Sequence, residues 1–320
     1  MVRFLIIGSG DVVRYVHVPA LKSIPRAEIV GVVSSREKRL TEPVFSGMSV
    51  FNDWRRALAE TSPDVVIVAT PNQLHHLMAK TCLMRGCHVV LEKPAVLEHE
   101  EGTELLGLCN EFGRVVLVNM TFRYTTGLQA ARDLCESILP SGDRVVDIRY
   151  GISRPVSSWY HERRSSGGGV VSCIGIHALD LAETLANSTI DLVNVALSQL
   201  QGDAVEGEAS LVAYHDANPP STVWISWNGD GLLLQAHVRG GGQTVELVFG
   251  PRDYWAVRQN GVTMHEGALW QDLAANTVCH EMVNVLADDV APGQTLQDHV
   301  RMLDMLWTGY AIARDGVPDS

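Results

Sequence analysis

The stretch Met1-Val2-Arg3-Phe4-Leu5-Ile6-Ile7-Gly8-Ser9-Gly10-Asp11-Val12-Val13 decides the fold. Arg3-Ile7 is a short apolar run of the kind that forms a buried parallel strand. The glycine turn after it opens a helix, so backbone N–H groups and the helix dipole converge where a pyrophosphate can bind. Gly8, Gly10, Asp11 and Val12 are therefore candidate cofactor contacts. Val13 stands where the usual fingerprint has a third glycine, and a glycine turn between strand and helix also has a purely structural explanation. What favours the functional one is its place at the first turn of an alternating pattern. Glu28-Val33, Val65-Ala69, Val89-Leu91 and Val115-Val118 are further short apolar runs. Helical stretches lie between them: one after Asp53 as N-cap, one that Asn72 starts and Gly86 ends, and one over Glu100 to Phe112. The alternation predicts an α/β domain over 1–121 with a doubly wound parallel sheet.

After about Phe122 the grammar changes. A helix over Gly127 to Ser137 and a glycine-led helix at Ile176-Ala186 are followed by extended runs at Ile190-Leu200, Ala209-Tyr214, Thr222-Trp227, Leu232-Val238 and Thr244-Phe249. Strand after strand without helices between them predicts a second, α+β domain over 122–320, with a large, mostly antiparallel sheet. Pro219-Pro220 reads as a hairpin loop in it. Two helices close the chain, about Ala275-Ala287 and Leu296-Arg314, and the last can pack back on the first domain.

Composition excludes other classes. With 320 residues, 46% hydrophobic and 19% charged, the chain is globular and long enough for two cores. A formal charge of −12 offers no basic surface for phosphate backbones, so nucleic acid is not an expected partner. No stretch approaches about 18 uninterrupted apolar residues and the N-terminus runs straight into a strand, so neither a membrane span nor a leader is expected and the cytoplasm is the default location. Six scattered cysteines with no CxxC pair fit reduced thiols and predict no metal site.

The second strand ends Val32-Val33-Ser34-Ser35-Arg36. An NAD site usually offers an acidic residue there for the ribose 2'-hydroxyl, and this chain has none. Ser34 and Ser35 can hydrogen-bond the ribose and Arg36 can pair with a 2'-phosphate, which favours NADP(H) while leaving NAD(H) open. Two further signals stand far apart: Glu92-Lys93-Pro94 after the apolar run His88-Leu91, and Gly167-Gly168-Gly169-Val170-Val171-Ser172-Cys173-Ile174-Gly175-Ile176-His177-Ala178-Leu179-Asp180. Residues at the carboxyl ends of parallel strands face the ligand crevice, and Lys93 is expected there, in one pocket with His177.

With these residues assembled, the chain resembles the Gfo/Idh/MocA oxidoreductases over essentially its whole length. The likeness is carried by His17-Val18-Pro19-Ala20-Leu21, Ala69-Thr70-Pro71-Asn72 with His75, Gly86 to Pro94, Arg123-Tyr124 and Gly167 to Asp180. It implies an N-terminal Rossmann domain and a C-terminal open-faced sheet, a nicotinamide across Lys93 and the helix of His177, and a cofactor lined by Thr70, Pro71, Asn72, His75, Glu92 and Lys93. It also implies a cis bond before Pro94, and oxidation of sugar or cyclitol alcohols or the reverse ketone reduction. Hydride transfer from a carbinol carbon requires loss of the hydroxyl proton, for which His177 is the candidate base and Lys93 the candidate stabiliser of the substrate oxygen. Substrate contacts are expected from these two, from Arg123 and Cys173, and from Trp159, Tyr160 and Arg163, since aromatic faces stack on sugars and arginines hold phosphates.

Two positions depart from the family pattern. Cys173 replaces the usual aspartate four residues before the histidine, and a thiol reproduces neither its acceptor pair nor its charge. Thr121 stands where asparagine is common. Asp180, one turn beyond His177, can orient the imidazole or serve packing alone. The expected activity is an NADP(H)-preferring alcohol–ketone interconversion on a sugar, nucleotide sugar or cyclitol, by a homodimer or homotetramer. The alternatives are a dinucleotide-sensing protein without turnover and an imine or alkene reductase on a non-sugar metabolite.

Overall fold

A computed structural model describes residues 1–140, 142–198, 205–251, 253–288 and 290–315, the side chains of Glu37 and Lys38 excepted. The chain divides into two compact units, Met1–Thr121 with Leu273–Val300, and Phe122–Asp272 with Arg301–Ser320.

In the first unit the apolar runs become β1 (Val2–Ile7), β2 (Ala27–Val33), β3 (Val50–Phe51), β4 (Val65–Val68), β5 (His88–Glu92) and β6 (Val116–Asn119). They form one parallel sheet in the order β3-β2-β1-β4-β5-β6. All four residues of β4 are fully buried, as a strand covered on both faces requires. The order reverses between β1 and β4, and ligands of such sheets bind outside the strand ends at that point. The helices start where capping chemistry puts them. Asp53 accepts from the Arg56 amide at 2.9 Å, Glu98 and Glu101 form a capping box before His99–Phe112, and a 3₁₀ turn at Asn72–Leu74 leads into His75–Met84.

The second unit holds β7 (Val145–Ser153), β8 (Ile190–Ser198), β9 (Glu208–His215), β10 (Ser221–Ser226), β11 (Asn228–Gly240), β12 (Gln243–Gly250), β13 (Tyr254–Gln259) and β14 (Val262–Gly267). Their order is β14-β13-β12-β11-β7-β10-β9-β8, antiparallel except for the β7–β10 pair. Pro219-Pro220 lies in the connection between the antiparallel neighbours β9 and β10. The expected extension of β8 to Leu200 lies outside the described residues. The expected helix at Ala275-Ala287 is Val278–Asp288, and a separate helix, Leu269–Ala275, precedes it. The Thr277 hydroxyl between them accepts the Cys279 amide at 3.2 Å.

The segment Arg163–Ala186, helical on either side of the bends at Gly167–Gly169, is long and apolar enough to cross a membrane by composition, yet 89% of its most apolar window is buried within the protein. It is the core helix on which β7, β9 and β10 pack.

A buried ion pair closes β5. His17 has no exposed surface, and its Nε2 lies 2.8 Å from Glu92 Oε1, which also accepts from Asn119 Nδ2 at 2.8 Å. The other ring nitrogen lies 3.6 Å from Cys279 Sγ. Burial alone would lower the His17 pKa, but the hydrogen bonds to Cys279 and Glu92 outweigh it and raise it to about 10. Burial pushes the Glu92 carboxyl up, and His17 more than reverses this and holds it low. A histidine raised above its unfolded value of 6.5 contributes stability in full below that pH and loses it as pH climbs towards about 10. The thermal midpoint is therefore expected to fall between pH 7 and pH 10. His17→Asn should flatten that fall and cost about 3–5 kcal/mol at pH 6.5, where it leaves a buried carboxylate unmatched. An unchanged pH slope in the variant, read by calorimetry, would refute the charged pair.

Candidate functional site

In the first unit the site starts at the turn after β1. Gly8 has φ +129°, and a Cβ there would lie 2.1 Å from the Ala69 carbonyl oxygen, so this crossing of β1 and β4 admits only glycine. The Gly8 amide donates to Val33 at 2.9 Å and the Ala69 amide to Ile7 at 2.8 Å, which ties the turn to both neighbouring strands. A Cβ at Gly10 would meet nothing within 4 Å, so the space beside its Cα is open. The helix then begins at Asp11 and runs π-type over Val13–His17, the five residues that start where the fingerprint keeps its third glycine. Open space at a helix start fits the pyrophosphate of a dinucleotide.

At the end of β2, Ser34 is buried. Its hydroxyl lies 2.6 Å from that of Ser9 and accepts the Arg36 amide at 3.0 Å, so it joins two loops. Ser35 and Arg36 are exposed, and the Arg36 guanidinium makes no hydrogen bond or ion pair among the described residues. Arg39, absent from the sequence reading, donates to the Ser9 carbonyl at 3.1 Å and lies 3.5 Å from Asp11. Its i, i+3 spacing from Arg36 was the available signal.

At the ends of β4 and β5, Thr70 and Pro71 are half-buried and Asn72 is buried. His75 has no exposed surface. Its Nδ1 lies 2.8 Å from the Pro94 carbonyl and its Nε2 2.9 Å from that of Thr70, and burial lowers its pKa. The imidazole braces the Thr70 loop against the Lys93-Pro94 turn, whose peptide bond is cis. Glu92 turns its carboxylate inward to His17 and Asn119. Asn119 Oδ1 is buried without a hydrogen-bond partner among the described residues. Gly8, Thr70 and half-buried Lys93 follow three adjacent strands, β1, β4 and β5, which puts Lys93 roughly 10 Å across the sheet from the glycine turn.

In the second unit the helix of Cys173 and His177 begins at the glycine triplet. A Cβ at Gly169 would lie 2.0 Å from the Glu206 carbonyl oxygen. The first turn is π-type over Val171–Gly175 and α-helical over Ile176–Ala186. Such insertions recur at functional sites. His177 is 6% exposed and Cys173 7%. The Phe122 ring meets His177 edge-on at 5.5 Å and Tyr150 at 5.8 Å, and burial, with Cys173 nearby, pushes the Tyr150 phenol up. Cys173, His177, Phe122 and Tyr150 thus form one cluster, and Tyr150 is a member that the sequence reading missed. Arg123 donates twice to Asp180 Oδ1, at 2.9 and 2.6 Å, an engagement with the core helix. Trp159 and Tyr160 stack at 3.7 Å, the His161 Nε2–H donates to the Pro155 carbonyl at 2.7 Å, and Arg163 is exposed. Lys93 and His177 belong to different units. Among the described residues no group of three or more His, Cys, Asp or Glu side chains is placed to hold a metal.

Comparison with known proteins agrees with this anatomy. Residues 2–120 match the model of the oxidoreductase family with an NAD-binding Rossmann fold, and residues 143–246 that of the GFO/IDH/MocA C-terminal domain. D-glucoside 3-dehydrogenase of Escherichia coli (strain K12) is 30% identical over 186 residues, 56% of this chain and 52% of that protein. The chain thus spans about half the length of that curated relative. Among solved structures, GenD2 from gentamicin A biosynthesis, in complex with NAD, superposes with a TM-score of 0.85 at 23% identity over 99% of this chain and 95% of its own. Levoglucosan dehydrogenase in complex with NADH and L-sorbose gives 0.85 at 17% identity, over 98% and 97%. At such identities the superpositions speak for the fold. The two family models reach into both units, and the chain belongs to the GFO/IDH/MocA oxidoreductase family.

Proposed function

We propose that the protein is an NADP(H)-preferring dehydrogenase that interconverts a secondary alcohol and a ketone on a sugar or cyclitol. The observation that carries this is the run of Gly8, Thr70 and Lys93 along three adjacent strand ends at the point where the sheet order reverses. Bound there, the nicotinamide supplies the hydride acceptor or donor. The chain's own residues do the rest. The Gly10 peptide and the helix start hold the pyrophosphate. Ser35 and Arg36, with Arg39 behind them, face the adenosine ribose and favour a 2'-phosphate. The Lys93 ammonium stabilises negative charge on the substrate oxygen, and His177 takes the carbinol proton or returns it. Cys173 and Tyr150 flank His177 with a thiol and a phenol, neutral groups where the family usually has a carboxylate, which suits a substrate presenting few hydroxyl donors on that side. Trp159 and Tyr160 offer a stacked face for a sugar ring. The absence of disulfides among the six cysteines suits the cytoplasm. Leu192, Tyr214 and Trp224, exposed on β8, β9 and β10, suit a homo-oligomer formed on the open face of the sheet.

Fluorescence titration with NADPH and NADH is expected to show at least about tenfold tighter binding of NADPH, and Arg36→Ala should remove most of that difference. Equal affinities in the wild type would overturn the NADP(H) preference. Turnover on a panel of keto sugars and cyclitols is expected to fall about 100-fold or more in Lys93→Ala and in His177→Ala, with dinucleotide binding retained in His177→Ala. Cys173→Ala should keep kcat within about tenfold; a loss as deep as that of His177→Ala would give the thiol a direct role. Tight NADPH binding with no turnover across the panel would favour a dinucleotide sensor instead.

A further inference from the structure

Glu206 lies outside every motif discussed so far, yet it is the most heavily engaged carboxylate near the His177 helix. It has no exposed surface. Its Oε1 accepts the Gly169 amide at 2.9 Å and the Val171 amide at 3.0 Å, and its Oε2 accepts the Tyr310 hydroxyl at 2.7 Å. Its backbone carbonyl accepts the Val170 amide at 2.9 Å. Three consecutive amides at the head of one helix are thus spent on a single residue. The fit is tight from the other side as well, because a Cβ at Gly168 would lie 3.1 Å from the Tyr310 hydroxyl. Arg314, one turn beyond Tyr310, reaches the same hydroxyl at 3.5 Å. All three groups donate to the carboxyl oxygens. Burial pushes its pKa above the ordinary carboxylate value, and these donors oppose the push without cancelling it. A negative charge at a helix N-terminus is where the dipole favours it.

We infer that Glu206 is a positioning residue for His177: it pins the glycine-led first turn and sets the electrostatic surroundings of an imidazole two turns along the same helix. The inference rests on the proposed acid–base role of His177. Six residues separate Val171 from His177, about 9 Å of helix. One charge at that distance moves a titration midpoint by about 0.3 in a water-like medium and about 1.3 at an effective dielectric of about 20. Cys173 and Asp180 lie on the same helix as His177, the latter paired with Arg123, and Tyr150 from β7 meets the same Phe122 ring as His177. None of them is among the three groups that donate to the Glu206 carboxyl.

The test is the titration of the His177 imidazole followed by proton–carbon NMR, with His177→Asn to assign the signal. Glu206→Gln keeps an acceptor for the two amides and removes the charge. It is expected to retain the fold and dinucleotide binding and to lower the His177 midpoint by about 0.3–1.3. A midpoint within 0.1 of wild type in the folded variant, a threshold at about a third of the smallest expected shift, would overturn the inference. Tyr310→Phe is the milder second variant, which keeps the charge and removes one donor. It should speed amide exchange across residues 169–176 about threefold or more, with exchange in the first unit unchanged. Unaltered exchange there would equally overturn the pinning. Both readouts are independent of turnover: a shifted midpoint in a protein that turns over no sugar supports the positioning role and removes the proposed reaction.

Discussion

Two backbones touch at Gly8 and Ala69, and again at Gly169 and Glu206, with no room for a side chain at either crossing. Much of each unit is arranged around its contact. In the first, the near-collision at the sheet's reversal point turns the chain sharply out of β1, leaves the space beside Gly10 open and lets a helix start there. In the second, it seats the head of the core helix against a buried carboxylate. A steric constraint that costs nothing electrostatically thus sets the origin of two helices, and each helix carries chemistry at a fixed number of residues from that origin. Any other residue at Gly8 or Gly169 would shift a whole element before it affected any reaction.

The polar residues nearest these crossings mostly face inward. Glu92 is matched by His17, Arg123 by Asp180, and Ser34 by Ser9, while His75 spans two carbonyl groups. Each lies beside a residue proposed to meet cofactor or substrate, and each fixes the loop that presents it. Motif residues of this kind serve by immobilising their neighbours, because a group that must act within a few tenths of an ångström needs a rigid support. Buried charges suit that task, since a partner lost from such a pair is costly and the geometry therefore has few alternatives.

Much of the fold was legible because burial on two faces leaves an unmistakable trace. β4 is an unbroken apolar run, β1 and β5 carry the runs Phe4–Ile7 and Val89–Leu91, and Asp53, Gly86 and Pro219-Pro220 mark boundaries by local chemistry. The elements that escaped were those whose residues answer to two environments. β7 alternates Val146, Ile148 and Tyr150 towards the core with Asp147 and Arg149 on the other face, where Asp147 meets Thr222 and Arg239. Its charges interrupt the apolar run, and no strand was expected there. β14 is exposed along nearly its whole length and has only Val262 and Met264 as apolar residues, and β3 is two residues long. In the site, glycine turns and short motifs were visible as strings. The inward orientation of Ser34, Glu92 and Arg123 was not, because a polar residue's partner across dozens of positions leaves no local signature. Glu206 was invisible for the same reason, since its donors sit 35 to 104 positions away.

The parallel pairing of β7 with β10 at the centre of an otherwise antiparallel sheet bears on how the chain is made. β7 has neither neighbour adjacent in sequence: it pairs with Ser221–Ser226 and with Asn228–Gly240, about 70 residues later. No local hairpin can start the sheet at its middle. At a synthesis rate of about 5–20 residues per second, roughly 4–14 s separate the synthesis of the strand from that of either partner. Until then the helix over Ile176–Ala186 can cover Val146, Ile148 and Tyr150, but both strand edges are open to other chains. Asp147 and Arg149 then act as gatekeepers that keep the nascent strand from pairing with a stranger.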